Sequence, residues 1–134
     1  MNTSLYVPLS DIQIPLSDDF AKVTPEYDFT RKRAIRTLNP DTTPFAHDDC
    51  YVFCSPEEFG EGRTMREAAT LSHDDLTLNV STTAPSMHVY TGKWNLPYKD
   101  YKHGPYSGIA FEPERYVDAI NWPAWRELSI LKPG

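Results

Sequence analysis

Apolar residues in this chain recur at every second position, in short runs broken by proline. Leu76, Leu78 and Val80 alternate with Thr77, Asn79 and Ser81, and Met87 and Val89 alternate with His88 and Tyr90. Successive side chains of a strand point to opposite faces, so each run gathers its apolar residues on one face and its polar ones on the other. Twelve prolines among 134 residues argue against long helices. Cys50-Tyr51-Val52-Phe53 reads as a short, largely buried strand. Residues 64–72 and 76–83 read as a hairpin about the polar turn His73-Asp74-Asp75. Tyr6-Val7, Gln13-Ile14 and residues 20–23 are short extended pieces, and residues 126–132 form a closing strand. Residues 31–44 hold a turn or two of helix before Pro40, while 55–62 and 93–106 are loops. The expected class is all-β: mostly antiparallel strands forming a sandwich, in a single segment over 1–134 without a linker or repeat.

Charge and cysteine content narrow the setting. The formal net charge is −6, and the one basic cluster is Arg31-Lys32-Arg33 with Arg36. That is too little positive charge for a nucleic-acid footprint, so no nucleic-acid partner is expected. No run approaches the roughly 18 apolar residues of a membrane span, and the opening MNTSLYVPLS has neither the cationic start nor the apolar run of a signal peptide. Cys50 and Cys54 are four residues apart. On a strand their Cα atoms lie roughly 13 Å apart, too far for a disulfide, which reaches about 7 Å. Buried free thiols fit a reducing compartment, so the cytoplasm is the expected location.

Familiar catalytic signatures are missing: there is no glycine-rich phosphate loop, no GxSxG elbow and no HExxH. His47-Asp48-Asp49-Cys50 holds ligand-type residues, but strand neighbours point to opposite faces, so no metal or cofactor is expected. In SGIAFEPERYVDAINWP, residues 107–123, Ile109 and Phe111 share one face of a strand, and Ala110 and Glu112 the other. Pro113 is expected to end regular pairing, leaving the Glu112 carboxylate at the strand end. His88 stands on the polar face of its strand as a group able to titrate, and Asp48 could form a carboxylate pair of glycosidase type with Glu112.

Three stretches taken in order resemble one family. They are FAHDDCYVF at 45–53, STTAPSMHVYTG at 81–92 and SGIAFEPERYVDAIN at 107–121. Within them stand Asp48 with Tyr51, Thr82-Thr83-Ala84-Pro85 leading to Tyr90-Thr91-Gly92, Gly108-Ile109-Ala110-Phe111-Glu112, and Asp118-Ala119-Ile120-Asn121. Order and spacing are similar to those of the C-terminal part of the galactose mutarotase (aldose 1-epimerase) family. The opening LYVPLSDIQIPL with Asp28-Phe29 and the closing LSILKPG also resemble that family's segments.

The resemblance implies a large β-sandwich (supersandwich) whose cleft binds a free aldose such as galactose or glucose and interconverts its α and β anomers. By that resemblance Glu112 is the general base on the C1 hydroxyl. Asp48 holds sugar hydroxyls, and His88 faces the sugar where relatives often carry glutamine. The resemblance also implies an acid histidine in an Asn-His-x-Tyr-Phe motif, a second sugar-binding histidine and an arginine, all in the N-terminal half; none of these motifs occurs among these 134 residues. The expected partners are therefore a small aldose and an N-terminal half of the domain. The alternative is a non-catalytic carbohydrate-binding or regulatory module of the same fold, and a phosphorylated sugar remains open beside a free one.

Overall fold

The computed structural model describes residues 1–35, 46–97 and 103–133. Five strands form one antiparallel sheet: β1 (Leu5–Val7), β2 (Ala21–Lys22), β3 (Asp48–Val52), β6 (Ser86–Tyr90) and β7 (Ala110–Glu114). Their order is β2-β1-β3-β6-β7. The other two strands, β4 (Arg66–His73) and β5 (Leu76–Thr82), pair only with each other. Among the described residues there are also two short helices, α1 (Pro56–Glu61) and α2 (Pro123–Ser129), with a 3₁₀ turn at Ala119–Asn121. The architecture is mostly antiparallel β in two sheets, an all-β sandwich-like fold, as the alternation predicts.

The period-two pattern sorts the central sheet into two faces. Tyr51, Met87 and Val89 point to one of them and are buried against Ala68 and Ala69 of β4, with Phe111 and Ile109 alongside. Val7, Cys50 and Val52 point to the other and are buried beneath Tyr116, Ala119 and Trp125. The hairpin therefore covers one face and the α2 region covers part of the opposite face. The chain start is tied to the hairpin by hydrogen bonds from Asn2 N to Ala68 O (3.0 Å) and from Asn2 Nδ2 to Glu67 O (2.7 Å).

Several expectations are corrected. Residues 123–129 are helical rather than strand. Trp122, Trp125 and Leu128 recur every third residue, which gathers them on one helical side over the core of Val7, Cys50 and Val52. Pro123 suits the first helical turn, where its missing N–H costs nothing. The 55–62 loop contains α1, whose start has a reciprocal cap: Glu58 N donates to Ser55 Oγ and Ser55 N donates to a Glu58 carboxylate oxygen. Gln13 adopts positive φ in a turn closed by the Leu9–Pro15 bridge, so Gln13-Ile14 is not an extended piece. Residues 31–35 form no helix, and the rest of the 31–44 expectation lies outside the described residues, as does part of the 93–106 loop.

The hairpin forms as predicted, with Leu71 opposite Leu78 and a two-residue turn at Asp74-Asp75, where Asp74 takes the positive φ such turns need. Its outer half reaches beyond the sheet, leaving Leu76 and Leu78 exposed while Val80 packs inward.

The motif Tyr90-Thr91-Gly92 does its work through backbone geometry. Thr91 Oγ1 accepts a hydrogen bond from His47 N (2.8 Å), fastening the exit of β6 to the entry of β3. Gly92 sits at φ 74°, and its carbonyl accepts from both Asn95 N and Tyr106 N. A Cβ there would lie 2.6 Å from Asn95 Nδ2 and 3.0 Å from Gly108 O. Gly92→Ala is accordingly expected to lower stability by about 1–2 kcal/mol for the left-handed backbone alone, with more from the clash. Chemical denaturation of the two proteins checks this; an unchanged midpoint would show that the loop relaxes freely.

Candidate functional site

Ladder register determines which polar groups meet. In β3, β6 and β7, Asp48 pairs with Tyr90 and Tyr90 with Ala110; Cys50 pairs with His88 and His88 with Glu112; Val52 pairs with Ser86 and Ser86 with Glu114. Directly paired residues share a face, so Asp48, Cys50, His88, Glu112 and Glu114 all stand on the α2 side of the sheet. Trp125 and its neighbours cover the Val7–Val52 end of that face. The end carrying Asp48, His88 and Glu112 emerges beside them, with His88 and Asp48 half-buried and Glu112 exposed.

The three expected site residues thus come from three adjacent strands and lie side by side. His88 Nε2 and Asp48 Oδ1 are 2.8 Å apart. Glu112 is the direct cross-strand neighbour of His88, and side chains so placed have Cβ atoms about 4.5–5.5 Å apart. The Asp48 carboxylate fixes the orientation of the ring and favours a proton on Nε2. All three sit on rigid strand backbone, where spacing is set by the ladder.

Pro113 does not end the strand. β7 continues to Glu114, with Pro113 paired to Met87 and Glu114 to Ser86. Proline is tolerated because β7 is the edge strand of the sheet. The continuation returns a second carboxylate to the same face. Glu114 Oε1 lies 3.7 Å from His88 Nδ1, so the imidazole stands between Asp48 and Glu114. Burial pushes the Glu114 carboxyl above the usual range; the nearby His88 opposes that shift and the Glu112 charge adds to it. Glu114 is the residue that the reading of the sequence passed over. Its signal was there, two positions beyond Glu112 in FEPE, but the proline between them masked the shared face.

The Asp118-Ala119-Ile120-Asn121 stretch is structural. Asp118 takes the left-handed conformation, its Oδ1 accepts from Asn121 Nδ2 (2.5 Å), and the 3₁₀ turn that follows leads into α2. Cys50 and Cys54 are both free and buried, as their spacing predicts. Burial raises the Cys50 thiol to about 12.

A cleft of about 470 Å³ is on the opposite face of the sheet, between it and the hairpin, and is lined by Phe29, Tyr51, Val89, Ile109 and Phe111 among others. Its wall is chiefly apolar. Arg31, Lys32, Arg33, His47 and His73 also line it, whereas Asp48, His88 and Glu112 lie on the other face of the sheet. No helix among the described residues is long and apolar enough to cross a membrane.

The profile of the aldose 1-epimerase family matches residues 1–134. The bifunctional protein GAL10 of Kluyveromyces lactis is 31% identical over 121 residues, covering 84% of this chain and 17% of that protein. An uncharacterized isomerase of Saccharomyces cerevisiae is 48% identical over 116 residues, covering 77% of this chain and 33% of its own length. The chain therefore spans a third or less of these curated relatives. With the family profile matching from the first residue to the last, this chain belongs to the aldose 1-epimerase family.

Proposed function

We propose that this chain is the base-bearing, C-terminal part of a mutarotase domain acting on a free hexose such as galactose or glucose. The observation that carries the reading is the alignment of Asp48, His88 and Glu112 on adjacent strands, with Asp48 and His88 in hydrogen-bond contact at 2.8 Å. Glu112 takes the proton from the C1 hydroxyl as general base. The electron pair of that O–H bond forms the C1 carbonyl, the bond from C1 to the ring oxygen breaks, and the ring oxygen receives a proton from an acid. Rotation about the C1–C2 bond and reclosure on the other carbonyl face, with both proton transfers reversed, gives the second anomer. Asp48 accepts hydrogen bonds from sugar hydroxyls, and His88, held by Asp48, faces the sugar beside it. The acid comes from the N-terminal part of the domain, as the family resemblance implies. The buried free thiols of Cys50 and Cys54 support a reducing compartment such as the cytoplasm.

Polarimetry tests this. Freshly dissolved α-galactose is allowed to relax with the complete domain, in which an N-terminal part supplies the acid, with its Glu112→Gln variant and with buffer alone. Acceleration over buffer that disappears in Glu112→Gln is the result expected of a base at this position. Acceleration undiminished in Glu112→Gln removes the assignment. Saturable sugar binding without any acceleration favours the non-catalytic carbohydrate-binding reading.

A further inference from the structure

Behind His88 is a second constellation, two of whose members, Cys50 and Glu114, have no part in the proposed anomer interconversion. One donor atom each from Cys50, His88 and Glu114 can be chosen so that all three lie within 4.8 Å of one another. They come from three adjacent strands, β3, β6 and β7. Cys50 is fully buried, and the His88 side chain is 13% exposed. Ser86, small and fully buried, is the residue paired with Glu114, and it leaves the glutamate room to lean back toward Cys50.

We propose that Cys50, His88 and Glu114 form a three-ligand site for a zinc-type divalent cation, adjoining the sugar site and sharing His88 with it. Thiolate sulfur, imidazole nitrogen and carboxylate oxygen are together the donor set that zinc accepts, and hard cations such as magnesium and calcium avoid thiolate. The spacing agrees: two ligands about 2.1 Å from a tetrahedral ion lie roughly 3.4 Å apart, and His88 Nδ1 and Glu114 Oε1 are 3.7 Å apart.

The site also has its outer support in place. His88 turns Nδ1 toward the cluster and Nε2 toward Asp48, which is 2.8 Å away. A ligating histidine whose other nitrogen is held by a carboxylate has its ring orientation and tautomer fixed for the metal. Glu114 Oε1 supplies the demand for a cation. It is buried, and its neighbours are a thiol, which is a weak donor, and a ring nitrogen beyond bonding distance. Three protein donors leave the fourth tetrahedral position to water, as in open zinc sites. The run His47-Asp48-Asp49-Cys50 could not reveal this set, because Cys50 is the only ligand it contributes and the other two arrive by strand pairing.

The test is a Zn²⁺ titration of the metal-free 134-residue chain against a chromogenic chelator, with Cys50→Ser, Glu114→Gln and Cys54→Ser measured beside it. The expected result is one Zn²⁺ per chain, affinity reduced at least about tenfold in Cys50→Ser and in Glu114→Gln, and no change in Cys54→Ser. Cobalt substitution is expected to give a thiolate-to-metal charge-transfer band in the wild type that Cys50→Ser lacks. Glu114 is part-exposed on an edge strand, so Glu114→Gln keeps the test decisive if Cys50→Ser fails to fold. A folded wild-type chain that takes no Zn²⁺ from the chelator overturns the proposal. So does a folded variant of either ligand that binds as tightly as the wild type, because the ion then sits elsewhere.

Discussion

Trp125→Ala is expected to cost about 3–5 kcal/mol of folding stability, the range for deleting a fully buried large aromatic. Domains of this size are stable by only about 5–15 kcal/mol, so the loss would remove a large share of what holds the fold. Trp125 has no exposed surface, and its ring lies 5.2 Å from Tyr116, 5.6 Å from Trp122 and 5.8 Å from Phe20. Helix α2 has seven residues, too short to persist without tertiary packing. Removing its anchor therefore detaches the helix and uncovers Val7, Cys50 and Val52 together. Trp125→Phe should be far milder. The indole nitrogen is buried without a hydrogen-bond partner, and leaving such a donor unpaired costs about 1–3 kcal/mol. Phenylalanine removes that penalty while giving up part of the ring. Urea unfolding of the three proteins measures the difference, and a Trp125→Ala midpoint equal to wild type would mean that α2 does not hold this core.

The second large effect is chemical. Glu112→Gln keeps the shape and hydrogen-bonding capacity of the side chain but removes its ability to accept the C1 hydroxyl proton. Positioned acid–base groups contribute about 10²–10⁴ in rate, so if Glu112 is the proposed base, relaxation of α-galactose catalysed by the complete domain should fall by that factor. Binding should change little, because the amide still reaches the same hydroxyl. A fall in rate with binding retained separates a base from a mere binding contact. A fall in binding with rate per bound sugar unchanged would instead make Glu112 a ligand group like Asp48.

Much of the fold was legible because strand periodicity is a local property. β3, β6 and the β4–β5 hairpin follow from apolar alternation and a polar turn. The short helices were harder to read. RELSILK alternates well enough to pass for a strand; only Trp122, Trp125 and Leu128 taken together show the helical spacing, and Phe20 and Tyr116 across the fold make it prevail. In α1 the capping signal Ser55-Pro56-Glu57-Glu58 was present but short.

The site divides along the same line. Asp48, His88 and Glu112 were named from residue type and family resemblance, but their common face depends on strand pairing that no single stretch encodes. Glu114 is masked in the sequence by Pro113, because proline interrupts a central strand yet is tolerated on an edge such as β7. Exposure of Leu76 and Leu78 was equally unreadable, because alternation assigns a face without saying what covers it.

The most direct measurement of the central claim is a galactose titration of the isotope-labelled chain followed by amide and side-chain NMR, with Asp48→Ala as control. The account predicts saturable shifts concentrated at Asp48, His88, Glu112 and their ladder neighbours, and strong weakening of those shifts in a folded Asp48→Ala. A folded wild-type chain whose spectrum ignores galactose at these residues, or responds instead along the apolar cleft of Phe29, Tyr51 and Phe111, would contradict it.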